Sequence, residues 1–329
     1  MTPARMTEAE YRAIPALSYS SLKDLAVSPT RFWHLNVRPD REPEEETPAL
    51  IFGSALHAAV LEPDAFLDRY AREIDPEDFP GCLTTADTLK EHIRSRGGTP
   101  KGTTKAGWIE QIRSFDRTVP ILSEMEAQSF AQNKGKTVLK VAEWDRVYAA
   151  AKALRDEPNV QDLLSQGEAE KIYMVKDPET GVQLKARMDW VRPEATADLK
   201  TFSQQRGKSI DQTVADAVFY EKYHWQGWLY SHIRSIAEGK AGVSGAQTAP
   251  PFMLCFVESE APHETRIRLL RAKAAGSPSL LWESARIECR RLIRLYADCL
   301  AEFGTEKPWR WAQEMTAVAD EEIRGLSYV

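Results

Sequence analysis

EKIYMVKDPETGVQLKARMDWVRPEATADLKTF, residues 170–202, reads as three consecutive strands joined by two tight turns. DPETG separates EKIYMV from VQLKARMDWV, and Gly181 supplies the positive-φ position that such a hairpin turn needs. RPEA then turns the chain into TADLKTF. Upstream, LSYSSLKDLAVSPTRFWHLN (17–36) predicts a helix opening at a Ser cap, a Ser-Pro break and a second helical turn. Arg38 to Glu46 is an acidic, proline-bearing segment expected as an exposed loop, and IFGSALHAAVLEP has helical spacing ending before Pro63. Residues 138–164 are expected as one amphipathic helix and 211–238 as another. GKAGVSGAQTAPP is expected as a loop, PFMLCFVES and TRIRLL as strands, and 274–303 as a long closing helix. This order predicts an α/β fold with a central mixed sheet flanked by helices, and no internal repeat is visible.

The chemistry concentrates in the same stretch. Asp189 precedes one turn and Asp198 follows it on the adjacent strand, with Lys200 two residues on. Residues i and i+2 of a strand share a face, so Asp198 and Lys200 point together into one site that Asp189 can reach. Aspartates are hard oxygen ligands for Mg²⁺, which keeps waters and bridges to phosphate. A lysine there can stabilise a pentacovalent phosphate or orient the attacking water. On the preceding strand, Glu170 extends the acidic cluster, with Glu168 as a rival because alternation puts both on one face. The alternative for Asp198 and Lys200 is a surface pair on an edge strand. For His57, flanked by Leu56, Ala58 and Ala59, it is a core histidine.

The Asp…Asp-Leu-Lys spacing resembles the core of the PD-(D/E)xK nuclease superfamily, with its restriction-endonuclease-like sheet. The company around it narrows the resemblance to the RecB-like branch. Ser18-Tyr-Ser-Ser-Leu22 and Ser28-Pro-Thr-Arg-Phe32 are similar to that branch's N-terminal segment, Gly53-Ser-Ala-Leu-His57 to its metal-binding histidine motif, and Tyr223-His-Trp-Gln-Gly-Trp-Leu-Tyr230 to its glutamine-tyrosine helix. The order of FGSALHAAVLEP, GEAEKIY, DPETGVQLKARMD, DLKT and YHWQGWLY is most similar to the nuclease domain of exonuclease VIII (RecE) and prophage relatives, over about residues 17 to 311. The resemblance implies that His57, Asp189, Asp198 and the Leu199 carbonyl hold metal, with Glu170 nearby, that Lys200 is catalytic, and that Gln226 and Tyr230 position the DNA or the metal shell. It implies Mg²⁺-dependent hydrolysis of linear double-stranded DNA from a 5′ end leaving 3′ single strands, Mn²⁺ as a substitute, a homo-oligomeric ring and a single-strand annealing partner. Iron–sulfur members carry a cysteine before the N-terminal Pro and a C-terminal cysteine cluster. Here Ser28 stands before Pro29 and the tail has no cysteine group, so no iron–sulfur cluster is expected. Met188 stands where relatives often have Pro.

The bulk composition agrees with a folded enzyme. The chain has 329 residues with 43% hydrophobic and 28% charged, enough for a sizeable core, and is read as one nuclease domain spanning 1–329. No run of about 18 apolar residues exists and the N-terminus lacks an apolar signal core, so a cytoplasmic protein with no membrane span is expected. Four scattered cysteines make no disulfide framework, and Cys289 and Cys299 read as buried thiols. A net charge of −6 leaves DNA attraction to local patches and metal. One such patch is the helical insertion expected over 82–137. From Leu89 to Arg113 it sets Lys90, Arg94, Arg96, Lys101, Lys105 and Arg113 against Glu91 and Glu110. Its helix, glycine turn and second helix resemble a SAP-type DNA-binding pair gripping phosphates through Lys101 and Lys105; the alternative is a solvated helical pair. Arg206 and Lys208 are a second candidate phosphate contact. No GxSxG elbow or Walker-type loop is present, so Ser20 and Ser21 read as capping residues. Alternatives in function are an endonuclease or single-strand nuclease of the same fold, and a catalytically silent DNA-binding recombination accessory protein.

Overall fold

The computed structural model describes residue 6 and residues 8–41, 47–240, 250–274 and 277–311. Most of the acidic segment 38–46 and of the loop 239–251 lies outside the described residues. The N-terminal region forms α1 (Glu8–Ala13), α2 (Tyr19–Val27) and α3 (Pro29–Phe32), the last running into a π-helical turn at Trp33–Val37. Ser18 and Ser21 close a reciprocal capping box on α2 and Ser28 caps α3 beside Pro29; Ser20, expected to cap with Ser21, lies inside α2 because the cap falls two residues earlier, at Ser18. Then come α4 (Pro48–Leu61), α5 (Pro63–Arg69) and β1 (Tyr70–Arg72).

The insertion follows as α6 (Ala86–Ser95), α7 (Lys105–Phe115) and α8 (Leu122–Gln132). It has its own small core of Leu83, Leu89, Ile93, Trp108, Ile112 and Ile121. It is not purely helical: β2 (Thr137–Leu139) pairs in parallel with β1, and Leu83 bridges Ile121. The third helix, α8, is an addition to the expected pair. The helix expected over 138–164 is two helices, α9 (Val141–Asp156) and α10 (Pro158–Leu164), because Pro158 cannot continue the first.

β3 (Glu168–Lys176), β4 (Gln183–Arg192) and β5 (Ala195–Phe202) form the three expected strands, and Gly181 does sit at φ +74° in the hairpin turn. The helix expected over 211–238 breaks into α11 (Ile210–Tyr220) and α12 (Tyr223–Ala237), with Lys222 between them in the left-handed region at φ +62°. β6 (Phe252–Glu258), β7 (Thr265–Leu270), a short β8/β9 hairpin (Lys273–Ala274, Ser277–Pro278) and α13 (Leu280–Phe303) complete the described chain. The closing helix therefore starts later than 274, where the hairpin intervenes. Among the described residues, no helix is long and apolar enough to cross a membrane.

The five-stranded sheet runs β3-β4-β5-β6-β7, antiparallel except for the parallel β5/β6 pair. This is the mixed sheet flanked by helices that the element order predicts. One face packs on α2, α11, α12 and α13 through Leu184, Met188, Trp228, Leu229, Phe256 and Trp282; the other packs on α4 and α9 through Leu56, Val147, Ala197, Leu199 and Cys255. β5 alternates between them: Ala197 and Leu199 face α4 while Asp198 and Lys200 face α12, where they meet Gln226 and Tyr223. Gly227 lets α12 lie close, since a Cβ there would come within 2.8 Å of Leu270. Cys255, Cys289 and Cys299 are buried free thiols.

Candidate active site

Strand pairing opens where the acids sit. The β4/β5 ladder ends at Trp190↔Ala197, one residue short of both Asp189 and Asp198. Ladder pairing between β3 and β4 likewise skips the position where Glu170 stands opposite Asp189. Side chains take over the backbone groups that the opening would orphan. Leu199 N–H donates to Asp189 Oδ2 at 2.7 Å, and the Leu199 carbonyl lies 3.1 Å from His57 Nε2 on α4. His57 Nδ1 is 3.3 Å from Asp189 Oδ2. The Leu199 carbonyl, expected as a metal ligand, is here engaged by the histidine.

Glu170 enters the site for a local reason that alternation misses. It adopts φ +52°, which breaks the two-residue period of β3. Glu168 and Glu170 therefore do not share a face: Glu168 is exposed and pairs with Lys171, while Glu170 turns inward against Arg187 Nε at 2.8 Å. One donor atom each from His57, Glu170 and Asp189 lies within 4.8 Å of the others. Asp198 on β5 stands beside this group and not within it, near enough for its charge to act on His57 and Asp189. Its Oδ1 accepts from Gln226 Nε2 at 2.5 Å, and its Oδ2 is ion-paired with Lys200. Tyr230, one turn along α12, is buried beside the Gln226 amide and supports it.

The electrostatics follow from this crowding. Burial and the Asp198 charge push the Asp189 carboxyl well above the ordinary carboxylate range, against the pull of Lys200, Leu199 N–H and Arg187. Burial lowers the His57 imidazole, which keeps a ring lone pair available. Burial also works against the Lys200 charge, but Asp198, Asp189 and Tyr223 outweigh it and hold the ammonium above its usual value. Lys200 therefore stays a cation at neutral pH, suited to stabilising phosphate charge and unable to accept a proton.

Imidazole nitrogen and carboxylate oxygens are a donor set that fits a divalent cation. The Asp198 Oδ2 atom is buried with the Lys200 ammonium as its partner, and the Gln226 amide oxygen is buried beside Tyr230. Arg187 and Tyr223 belong to the site although the sequence singled out neither. Arg187 lies two residues before Asp189 on β4, and Tyr223 lies one turn before Gln226 with its ring 4.8 Å from Lys200 Nζ. Strand and helix periodicity point to both positions; nothing in the sequence gives them a role.

The candidate DNA contacts lie elsewhere. Lys101 and Lys105 are exposed at the loop entering α7, and Arg206 is exposed in the loop between β5 and α11. Lys208 already pairs with Asp216 at 2.6 Å, which weakens its availability for phosphate.

The arrangement has counterparts among known proteins. A protein from Eubacterium rectale described as a candidate exonuclease has the same fold, at TM-score 0.51 and 15% identity over 98% of this chain and 99% of that one. A second solved chain, SSO0001, matches at TM-score 0.25 and 11% identity over 76% and 87% of the two chains, too low a likeness to carry an argument. No curated protein matches. Residues 18–309 match the family described as a PDDEXK-like domain of unknown function (DUF3799). The match spans every residue of the cluster, and the chain belongs to that family, within the PD-(D/E)xK nuclease superfamily.

Proposed function

We propose that this protein is a metal-dependent exonuclease that degrades linear double-stranded DNA 5′→3′ and leaves 3′ single strands for recombination. The observation that carries the reading is the opening of the sheet at Asp189 and Asp198, with Lys200, Glu170 and His57 gathered around it. His57, Asp189, Asp198 and the Leu199 carbonyl would hold Mg²⁺, or Mn²⁺ in its place. A cation bound there supplies Lewis-acid polarisation of the scissile phosphate and acidifies water. Lys200 donates to the phosphate oxygens as charge builds in the transition state. Gln226, backed by Tyr230, holds the Asp198 carboxylate in one orientation, and Arg187 does the same for Glu170.

Polarity, ring assembly and an annealing partner rest on the likeness to RecE-type nucleases in the Asp-Leu-Lys, histidine and glutamine-tyrosine motifs. Lys101 and Lys105 on the insertion, with Arg206 and the partly committed Lys208, would contact DNA phosphates. The test offers 5′-phosphorylated linear duplex, closed circular duplex and single strand, each with Mg²⁺ or EDTA. Expected is Mg²⁺-dependent loss of linear duplex alone, abolished by Asp198→Ala, with end-labelled substrates shortening from the 5′ side. Cutting of closed circles sinks the exonuclease reading, and unchanged cleavage by Asp198→Ala sinks the site.

A further inference from the structure

Two aromatic rings stand out on the surface at the corner between α11 and α12. Phe219 and Tyr220 end α11 and are 49% and 70% exposed, an unusual placement for consecutive large rings. They pack edge to face at 5.4 Å. Hydrogen bonds tie down the corner that presents them. Glu221 N–H donates to Ala217 O and Lys222 N–H to Phe219 O, Lys222 adopts the left-handed turn, and Tyr19 Oη on α2 donates to the Glu221 carbonyl at 2.6 Å. Behind Phe219, the His224 ring lies parallel at 5.6 Å, fixed by its Nδ1–H donating to Val218 O. Lys222 Nζ covers the Phe219 and Trp225 rings at 5.0 and 5.4 Å. The next residue, Tyr223, lies under the Lys200 ammonium. The rings therefore lie four and three residues before the tyrosine that meets Lys200, on a corner held from α2 and α12.

We propose that Phe219 and Tyr220 form a wedge that stacks on the terminal base pair of linear duplex DNA and parts its strands before one enters the site. The inference rests on the nuclease reading above. Asp198 and Asp189 are only 2% and 8% exposed, a depth that a strand parted from the duplex reaches more readily than a paired end does. Base faces stack on aromatic rings without regard to sequence, which suits an enzyme that digests any end. The exposed Glu221 disfavours a phosphate seat at this corner and suits an apolar base face instead. The phosphates would be met by the exposed Arg206 in the preceding loop.

The test uses the full chain with Phe219→Ala/Tyr220→Ala, and Phe219→Trp/Tyr220→Trp to keep the rings. A duplex with 2-aminopurine at its terminal pair is mixed with protein in Ca²⁺, and its fluorescence reports strand parting without cleavage. Cleavage in Mg²⁺ is then compared on blunt duplex and on duplex with a frayed end. Expected for the alanine pair is loss of the fluorescence rise and about tenfold slower cleavage of blunt ends (about 1.4 kcal/mol), recovered on frayed ends, with the tryptophan pair near wild type. Equal loss on blunt and frayed ends, no change on either, or a change of oligomer mass with the fluorescence rise intact overturns the wedge. The last outcome would mark the rings as a contact between copies. Should wild type cleave nothing, the nuclease reading fails while the fluorescence still decides the wedge.

Discussion

Gln226→Ala separates a residue that organises the metal site from one that merely fills the helix. Gln226 and Asp198 are 3% and 2% exposed, and the amide donates to the carboxylate at 2.5 Å. A hydrogen bond to a buried charged group contributes about 1.5–3 kcal/mol, and its loss leaves that oxygen without a donor. The other Asp198 oxygen keeps Lys200, so the carboxylate is left short of one partner. The expected cost in metal-free protein is about 1.5–3 kcal/mol, or a melting temperature lower by about 2–4 °C at this chain length. Partners that orient a metal ligand typically change affinity or activity about 10- to 100-fold, so Mg²⁺ affinity should fall on that scale. Gln226→Glu sharpens the case by removing the donor and setting a further carboxylate against Asp198. It should be less stable than Gln226→Ala at neutral pH, and saturating Mg²⁺ should restore more of its stability. The assays are urea denaturation and Mg²⁺ titration with and without EDTA. Stability of Gln226→Ala within about 0.5 kcal/mol of wild type, the scatter of an inert substitution, with unchanged Mg²⁺ affinity, refutes the reasoning.

Other consequences can be checked alongside. Asp177 is fully buried among His232, Thr180 and Arg290, which hold its carboxyl well below the usual range against the opposing effect of burial. The unfolded chain then binds the proton first, so the stability that this carboxylate contributes is present above about pH 4 and is lost as pH falls below it. Urea unfolding from pH 7 to 3 should show that loss, and an unchanged acid slope in Asp177→Asn refutes it. Trp309 is fully buried, stacks on Phe32 at 5.1 Å and meets Tyr296 at 5.5 Å, tying the N-terminal helices to the end of the described chain. Trp309→Ala should cost about 3–5 kcal/mol, and a loss below about 1 kcal/mol in denaturant midpoint would show that these contacts do not hold the ends together. Charge reversal at Lys101 and Lys105 should weaken duplex binding and flatten the slope of log affinity against log salt by about two. An unchanged slope removes the insertion from the DNA interface.

The local pattern determined more of this protein than its bulk composition did. The hairpin ending at Asp189, the turn to Asp198 and the alternation that sets Lys200 beside it follow from period-two patterning and turn residues, which act over neighbouring positions. The caps at Ser18 and Ser28 and the mixed sheet are legible for the same reason. What the tertiary structure decided is whatever depends on long-range contact or on a break in local regularity. Glu170 was chosen over Glu168 by a left-handed backbone angle that alternation cannot foresee. The breaks at Pro158 and Lys222 replaced two long helices with four short ones, and the second break sets Tyr223 over Lys200. His57 meets Leu199 across 142 positions because α4 packs over the place where β4 and β5 separate. Patterning placed the acids on adjacent strands; the separation of those strands made room for a site.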